Sequence, residues 1–261
     1  MSVLDQIAAR VRTRVAEARA LEPLDALLRR ADARQPGDFR AAFCGPGIHI
    51  IAEVKRASPS EGPIAMDVDP AAVAGEYLAA GAAAISVLTE RDHFSGAPAH
   101  LAAIRQRHPG ARLLMKDFVV DEWQVARARA DGADATLLIV ALLGATGLRR
   151  LLDAAREIGV SALVEVHDAE ELRIAAGEGA SLIGVNNRDL KTMKVSLATS
   201  ERLASVAPAG ATLISESGLA RREELDRLGA LGYRGFLIGT TLLRGGRPGA
   251  TLAALLAGGA Q

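Results

Sequence analysis

Short apolar runs alternate with longer amphipathic stretches along most of the chain. Each run is rich in Val, Ile or Leu and is bounded by turn-forming residues, a pattern that predicts buried β-strands. The predicted strands are residues 49–55, 83–89, 111–118, 135–141, 161–166, 181–187, 212–217 and 235–240. Apolar residues at three- and four-residue spacing predict helices between the strands. The clearest helical segments are residues 69–80, 121–130, 147–158 and 169–178.

The number and order of these elements favour one fold class. Eight apolar strands that alternate with helices are typical of a closed (β/α)8 TIM barrel, an α/β fold, and 261 residues suit a single such domain. An open doubly wound sheet usually has a Gly-rich first turn, and no GxGxxG follows the first run. The sequence therefore predicts one TIM-barrel domain over residues 1–261, with the barrel in residues 49–261.

Residues 1–48 are predicted to form a helical extension. One apolar helical face is formed by Leu4, Ile7, Ala8, Val11 and Val15. A second helix is predicted after Pro23. The extension could close the bottom of the barrel or pack on its side, and it could instead cover the mouth. Periodicity alone does not choose between these placements.

Composition and charge exclude several classes of partner. Lys and Arg number 31, as do Asp and Glu, so no net field would attract nucleic acid or an anionic membrane. Cys44 is the only cysteine, which excludes an internal disulfide, and the chain does not open with a continuous apolar signal segment. We therefore expect a protein of the reducing cytoplasm. The five histidines lack metal-ligand spacing, so no metal site is expected, and no protein partner is indicated.

Charged, amide and hydroxyl side chains stand at the ends of five predicted strands. They are Glu53, Lys55, Lys116, Glu165, Asn186, Arg188, Glu216 and Ser217. A single Lys or Glu is ordinarily a solvated residue or half of a structural ion pair. Five polar strand ends are better explained by one site, because active sites of α/β barrels lie at the C-terminal ends of the strands. Alternation places Glu53 and Lys55 on one side, and burial is expected to lower the pKa of at least one lysine.

Glycines at the ends of the last two predicted strands form a second signal. Gly218, Gly239 and Thr240 would offer backbone N–H groups to a phosphate, and α/β barrels commonly bind phosphate at this place. Each glycine alone is better explained by a tight turn, whereas two on neighbouring strands favour a phosphate site. Phe94 and Phe118 follow the second and third strands, where they could pack in the core or stack on an aromatic ligand.

The motifs around these residues resemble those of the indole-3-glycerol-phosphate synthase family. The matching segments are IAEVKRASPSEGPI, SVLTERDHFSG, LMKDFVVDEWQV, ALVEVHDAEEL, IGVNNRDLKTM and ISESGL, in that order between Ile51 and Leu219. The resemblance covers essentially the whole chain. It implies a carbon-carbon lyase of tryptophan biosynthesis that needs no cofactor. The implied reaction closes 1-(2-carboxyphenylamino)-1-deoxyribulose 5-phosphate to indole-3-glycerol phosphate, with loss of CO₂ and water.

The resemblance also assigns roles to residues of this chain. Lys116 is the expected general acid, and Lys55 is expected to contact the substrate carboxylate or phosphate. Glu165 is expected to transfer protons in the later steps, with Glu53 and Asn186 orienting the reacting groups. Which glutamate is the base, and whether Lys55 transfers a proton, stay open.

The remaining implied residues bind substrate. Residues expected to hold its hydroxyls or line its site are Arg188, Glu216, Ser217 and Ser60. The expected phosphate clamp consists of Gly218, Gly239 and Thr240 with Lys55. The expected pocket for the aryl ring consists of Phe94, Phe118, Leu137, Ile139 and Leu190. The resemblance further implies that the extension helps cover the mouth.

Two other functions are weighed against this one. A phosphoribosylanthranilate isomerase is another phosphate-binding barrel, but it should use a Cys and Asp pair, and Cys44 precedes the first predicted strand. A barrel that binds a phosphorylated ligand without catalysis is the second alternative. Its expected mark is the loss of the charged strand-end residues, and Lys116 and the carboxylates are present.

Overall fold

A parallel β-barrel forms the centre of the molecule. The structure is a computed structural model that describes residues 3–32, 34–59 and 61–258. Within these residues, eight parallel strands close into a barrel in which each strand pairs with the next along the chain and the last pairs with the first. The strands are β1 (Ile50–Val54), β2 (Ala84–Leu88), β3 (Leu113–Lys116), β4 (Ala135–Ile139), β5 (Ser161–Val166), β6 (Leu182–Asn186), β7 (Thr212–Glu216) and β8 (Tyr233–Ile238). The predicted TIM-barrel fold is confirmed.

Helices surround the barrel and precede it. They are α1 (Val3–Leu21), α2 (Leu24–Ala31), α3 (Pro70–Ala79), α4 (Arg91–Phe94), α5 (Pro98–Arg107), α6 (Glu122–Ala130), α7 (Val140–Ile158), α8 (Ala169–Gly177), α9 (Ala198–Ala204), α10 (Arg222–Ala230), α11 (Thr240–Leu243) and α12 (Pro248–Ala257). In the described part of the chain, none of them is long and apolar enough to span a bilayer. Helix α7 is broken at Gly144, whose φ of 59° is not helical, and the helix predicted from residue 147 is its second part.

Alternate residues of each strand divide the core into an inner and an outer layer. The inner layer fills the barrel with aliphatic side chains, among them Ile51, Leu114 and Leu163, and the outer layer packs against the helices. The lower end of the inner layer is closed by Phe39 and Phe43, whose rings meet edge to face 5.6 Å apart. They belong to a short segment that includes the 3₁₀ helix Arg40–Phe43.

The extension contacts the barrel in two places. Helix α2 packs on α6, and an apolar cluster joins both extension helices to the side of the barrel; its buried members are Ile7, Val11, Val15, Leu27, Val120, Trp123 and Ala126. Arg14 of α1 reaches the loop after β2, where it pairs with Glu90 and Asp92. The helices therefore pack on the side and touch the rim of the mouth, while the segment after α2 closes the bottom. Each expected placement describes a different part of the extension.

A buried carboxylate ties the end of the extension to the base of the barrel. Asp134 is 1% exposed and precedes β4. One of its oxygens accepts hydrogen bonds from Arg34 Nη2 and the Gly37 backbone N–H, both at 2.7 Å. The other accepts from Arg105 Nη2 at 2.7 Å and the Leu113 N–H at 2.9 Å. Four donors from three segments of the chain thus satisfy one buried charge.

Candidate active site

A lysine lies between two buried carboxylates at the mouth of the barrel. Lys116 ends β3, and its Nζ lies 2.7 Å from Glu216 Oε2 of β7 and 3.5 Å from Glu165 Oε2 of β5. The two glutamates are 1% and 3% exposed. Because β3, β5 and β7 are not neighbours in the barrel, these side chains meet across its interior. The three residues that the sequence placed at separate strand ends form one cluster.

The cluster keeps its lysine charged. Burial by itself lowers the pKa of Lys116, but the nearby carboxylates of Glu216, Glu165 and Glu53 outweigh it and raise that pKa above the ordinary lysine range. The expectation that burial would lower a lysine pKa is therefore wrong for Lys116. Its ammonium can donate a proton or a hydrogen bond at neutral pH, and it cannot serve as a base there.

Glu216 is held in an environment unfavourable to its charge. Burial raises the pKa of Glu216, and Lys116 only partly offsets this, so that the pKa lies at about 7. Its Oε1 is buried and has no hydrogen-bond partner among the described residues. Gly184 of β6 makes room for it, since a Cβ at that position would lie 2.1 Å from Oε1. A glycine on one strand thus admits the carboxyl group of the next.

A second ion pair lies beside the first cluster. Lys55 Nζ lies 2.8 Å from Glu53 Oε1, so the two residues that strand alternation placed on one side do meet. Gly239, directly after β8, faces this pair: a Cβ there would lie 2.3 Å from Glu53 Oε1 and 3.1 Å from Lys55 Nζ. Gly239 therefore has a packing reason to be glycine in addition to any role toward phosphate.

The ends of β6 and β7 are fixed by a buried amide. Asn187 is 2% exposed, and its Nδ2 donates to the backbone carbonyls of Glu216 and Ser217 at 2.9 and 3.1 Å. Ser217 has a φ of 67°, a left-handed conformation that costs a non-glycine residue about 1 kcal/mol. Asn187 holds the strained turn in place. Its neighbour Asn186 faces the other way, toward Glu165, and helps to lower the pKa of that carboxyl.

The loops after β7 and β8 lie together at the mouth. Gly218 has a φ of 80°, and a Cβ on it would meet Val195 at 2.4 Å. The Thr241 hydroxyl donates to the Leu219 carbonyl at 2.8 Å, which joins the two loops. Thr240 begins α11 directly after Gly239. The residues predicted to clamp a phosphate are therefore brought side by side.

An apolar wall adjoins the charged cluster at the strand ends, where Ile139 pairs with Glu165 in the sheet. The Phe94 and Phe118 rings are 6.3 Å apart, and Phe118 packs on the inner layer that includes Leu137 and Ile139. Leu190 lies half-buried in the loop after β6, outside this cluster. The geometry thus groups four of the five residues expected around an aryl ring.

One expected binding residue is not brought to the cluster, and another is not described. The Arg188 guanidinium donates to the Met193 carbonyl at 3.1 Å, so it stabilises its own loop. Ser60 lies outside the described residues.

Comparison with known proteins decides the family. A model of the indole-3-glycerol phosphate synthase family matches residues 4–255. The indole-3-glycerol phosphate synthase of Salinibacter ruber is 45% identical over 99% of this chain and 97% of its own length. That of a Nocardioides species is 47% identical over 95% of each chain. This chain belongs to the indole-3-glycerol phosphate synthase family.

Membership of the indole-3-glycerol phosphate synthase family confirms the predicted family and its carboxy-lyase activity. It also removes the phosphoribosylanthranilate isomerase alternative. Among solved structures, 3-hexulose-6-phosphate synthase from Salmonella typhimurium aligns with a TM-score of 0.64 over 80% of this chain and 98% of its own. At 14% identity, that likeness shows the shared barrel fold alone.

Sequence reasoning missed several residues of this synthase site. His167 stands two residues after Glu165, and the alternation that joined Glu53 to Lys55 would have placed its ring on the same side. Its second partner, Glu171, lies four residues further on, in the first turn of α8. Gly184 gave no such signal, because a glycine inside an apolar run does not reveal which neighbouring side chain needs its space.

Proposed function

We propose that the Lys116 cluster is the catalytic centre at which 1-(2-carboxyphenylamino)-1-deoxyribulose 5-phosphate is closed to indole-3-glycerol phosphate. The observation that carries the proposal is the buried ammonium of Lys116 between Glu165 and Glu216 at the barrel mouth. An apolar wall with two phenylalanines adjoins the strand ends of the cluster, and Gly239 of the two glycine loops packs against the Glu53–Lys55 pair. A substrate with an aryl ring at one end and a phosphate at the other matches this division.

Ring closure calls for a proton donor at a carbonyl oxygen. The ring carbon that bears the carboxylate attacks the ribulose C2 carbon, and the carbonyl electron pair moves to oxygen. Lys116 protonates that oxygen, and its raised pKa ensures that the ammonium is present at neutral pH. The bond to the carboxylate then breaks, CO₂ leaves, and its electron pair restores the aromatic ring.

Dehydration completes the indole and calls for both an acid and a base. The new hydroxyl leaves as water after taking up a proton, and a proton is lost from the neighbouring methylene carbon. Glu165 is the proposed acceptor, with Asn186 and Glu53 orienting the groups around it. Since a substrate carboxylate leaves as neutral CO₂, each turnover takes up one proton overall, and the acid has to be recharged.

Substrate binding is divided between the two ends of the site. Gly218, Gly239 and Thr240 are proposed to bind the phosphate through backbone N–H groups, with Lys55 supplying positive charge. The wall of Phe94, Phe118, Leu137 and Ile139 is proposed to hold the aryl ring, and Leu190 needs a loop movement to join it. Arg188, Ser217 and Ser60 are proposed to contact substrate hydroxyls. The exposed thiol of Cys44 supports a cytoplasmic location, where a reducing environment keeps it free.

The activity is tested directly with the carboxyphenylamino sugar phosphate. The expected result is the appearance of indole fluorescence together with stoichiometric CO₂. A substrate analogue without phosphate should bind far more weakly in calorimetry. Binding of the substrate without turnover would instead support the ligand-binding barrel that lacks catalysis.

The role of Lys116 is tested by Lys116→Met. This variant should lower kcat by at least about 100-fold while the substrate Kd changes by less than about tenfold, because a transition-state proton donor contributes mainly to the barrier. Single-turnover kinetics measure the first quantity and calorimetry the second. A thermal melt serves as the control for folding, since the variant leaves two buried carboxyls without their cation. Turnover close to that of the unmodified enzyme would contradict the assignment.

A further inference from the structure

His167 lies between two carboxylates at the edge of the active site. It follows β5, and its ring Nδ1 lies 2.9 Å from Glu171 Oε2 while Nε2 lies 3.3 Å from Glu165 Oε1. The backbone N–H of His167 donates to the same Glu171 oxygen at 2.8 Å. Glu171, in the first turn of α8, therefore fixes the Nδ1 side of the ring, and Nε2 faces Glu165 without a hydrogen-bond partner among the described residues. Its side chain is only 12% exposed.

The number of protons in this row follows from hydrogen-bonding chemistry. A neutral imidazole has one N–H, and an ionised carboxylate can only accept. With Nδ1–H donating to Glu171, the Nε2 atom of a neutral ring would present its lone pair to Glu165 Oε1 at 3.3 Å, and Nε2 has no hydrogen-bond partner among the described residues to offset this. A proton on Nε2, which makes His167 an imidazolium, or a proton on Glu165 removes this repulsion.

The surroundings favour the imidazolium. Burial lowers the pKa of His167, but the nearby carboxylates of Glu165 and Glu171 outweigh it and raise the pKa to about 10. Burial likewise raises the pKa of Glu165, and Lys116, His167 and Asn186 outweigh it and lower the pKa below the ordinary glutamate range. The charged groups that face the row are Glu171 from α8, Glu165 from β5 and Lys116 from β3, with Glu216 of β7 beyond the lysine.

We propose that His167 is a positioning residue of the synthase reaction, whose imidazolium keeps the Glu165 carboxylate ionised and turned toward Lys116 and the substrate. The row runs from Glu171 through His167 and Glu165 to Lys116. Glu165 offers one oxygen to His167 and the other to Lys116, at 3.3 and 3.5 Å. The inference rests on the proposed role of Glu165 as proton acceptor, since an acceptor has to be unprotonated before each dehydration.

The pH profile of turnover tests this role. In His167→Asn the positive charge is lost, so the acid limb of the kcat profile should move up by about 1 to 3 pH units, the usual effect of an adjacent opposite charge on a carboxyl group. The loss of kcat should grow toward acid pH, by up to about tenfold for each pH unit below the shifted limb, with kcat near that of the unmodified enzyme at pH 9 and KM nearly unchanged. Glu171→Gln keeps an acceptor oxygen but removes the charge, and it should move the limb in the same direction by less.

The controls separate positioning from folding. His108→Asn removes a histidine whose Nε2 bonds the Ala71 carbonyl, remote from the cluster, and it should leave the profile unmoved. His167→Lys returns a cation and should restore much of the acid limb. A fall of kcat that is equal at every pH, or a profile that does not move in a folded His167→Asn, would overturn the proposal. An unmodified enzyme without turnover would instead refute the proposed function.

A second readout does not depend on activity. In ¹⁵N NMR of the unmodified protein at pH 8, both ring nitrogens of His167 should be protonated, with the resonances assigned by their loss in His167→Asn. Most histidines are neutral at this pH. A singly protonated ring would place the extra proton on a glutamate and overturn the proposal.

Discussion

The buried position of Glu216 disfavours the charged form of its carboxyl group. Its nearest cation, Lys116, is shared with Glu165, and one of its own oxygens has no partner among the described residues. The buried acid therefore favours its neutral form up to a higher pH than it would in water. Strained or unfavourable groups of this kind are concentrated at active sites, where they serve the chemistry.

This environment makes the stability of the protein depend on pH. Between the ordinary value of 4.5 and about 7, the folded protein retains a Glu216 proton that the unfolded chain has released. The contribution of Glu216 to the free energy of unfolding is therefore lost as pH rises through this window. In Glu216→Gln the side chain is neutral at every pH. The free energy of unfolding of this variant, relative to that of the unmodified protein, should therefore rise by on the order of 1 to 3 kcal/mol from pH 4.5 to pH 8. Urea denaturation at both pH values measures this, and a pH-independent difference would contradict it.

At the residue scale, the sequence predicted which residues gather but not how they pair. Polar ends of buried strands were visible in the pattern, and Glu53 with Lys55 followed from alternation. The pairing of Lys116 with Glu216 depends on the register of strands that are 100 residues apart in the chain, which no local pattern encodes. The expected direction of the lysine pKa shift was wrong for Lys116 for the same reason, because its carboxylate partners come from across the barrel.

At the scale of elements, strand β6 makes space for a side chain of β7. In Gly184→Ala the new Cβ would meet Glu216 Oε1, and displacement of that carboxyl should disturb Lys116. We expect kcat to fall by about 100-fold with little change in KM, because a shift of about 1 Å in a catalytic group has an effect of that size. Steady-state kinetics measure both values.

A matched control for this substitution lies in helix α10. Gly229 has open space around its Cβ position, so Gly229→Ala should leave kcat unchanged and stabilise the protein by about 1 kcal/mol through helix propensity. Equal activity of the two variants would show that Gly184 has no part in placing Glu216.

Helix α1 supports the short helix α4, which carries Phe94. Arg14 pairs with the buried Glu90, and the Glu90 carboxylate also accepts from the N–H groups of Asp92 and His93 at the start of α4. Arg14→Ala should raise KM by about fivefold with kcat nearly unchanged, since such an ion pair contributes about 1 kcal/mol. Arg12→Ala, an exposed change on the same helix, should alter neither. An unchanged KM in a folded Arg14→Ala would separate the extension from substrate binding.

Helices and strands were predicted correctly where the periodic pattern of apolar residues extends over enough positions. The strands are continuous apolar runs because both of their faces are buried, and their predicted bounds differ from the structure by a few residues at the ends. The segment with Phe39 and Phe43 was not foreseen, because four residues of 3₁₀ helix carry no period. The break at Gly144 was not predicted for a similar reason, since a single glycine in the sequence does not show that its φ will be positive.

At the scale of the whole molecule, Asp134 joins the extension to the barrel, and we expect the two to unfold as one domain. Asp134→Ala leaves two guanidinium groups and two N–H groups without their acceptor, so it should destabilise the protein by about 3 to 5 kcal/mol. Urea unfolding followed by circular dichroism and by Trp123 fluorescence should give coincident curves, because this tryptophan lies between extension and barrel. Separate transitions would indicate two units.

The control for Asp134 is an ion pair on the surface. Asp153 pairs with Arg156 within α7, and both side chains are more than half exposed. Asp153→Ala should therefore change the free energy of unfolding by less than about 0.5 kcal/mol. A similar loss in both variants would mean that burial of Asp134 adds nothing to its ion pairs.

The closed lower end of the barrel decides how a gas leaves the enzyme. Phe39 and Phe43 fill that end, and Gly235 lets the second ring approach so closely that a Cβ would lie 2.8 Å from it. The described residues thus leave carbon dioxide no axial exit through the packed interior. Along the barrel axis, carbon dioxide therefore has to leave through the same open end by which the substrate enters, where the two loops proposed to bind the phosphate lie.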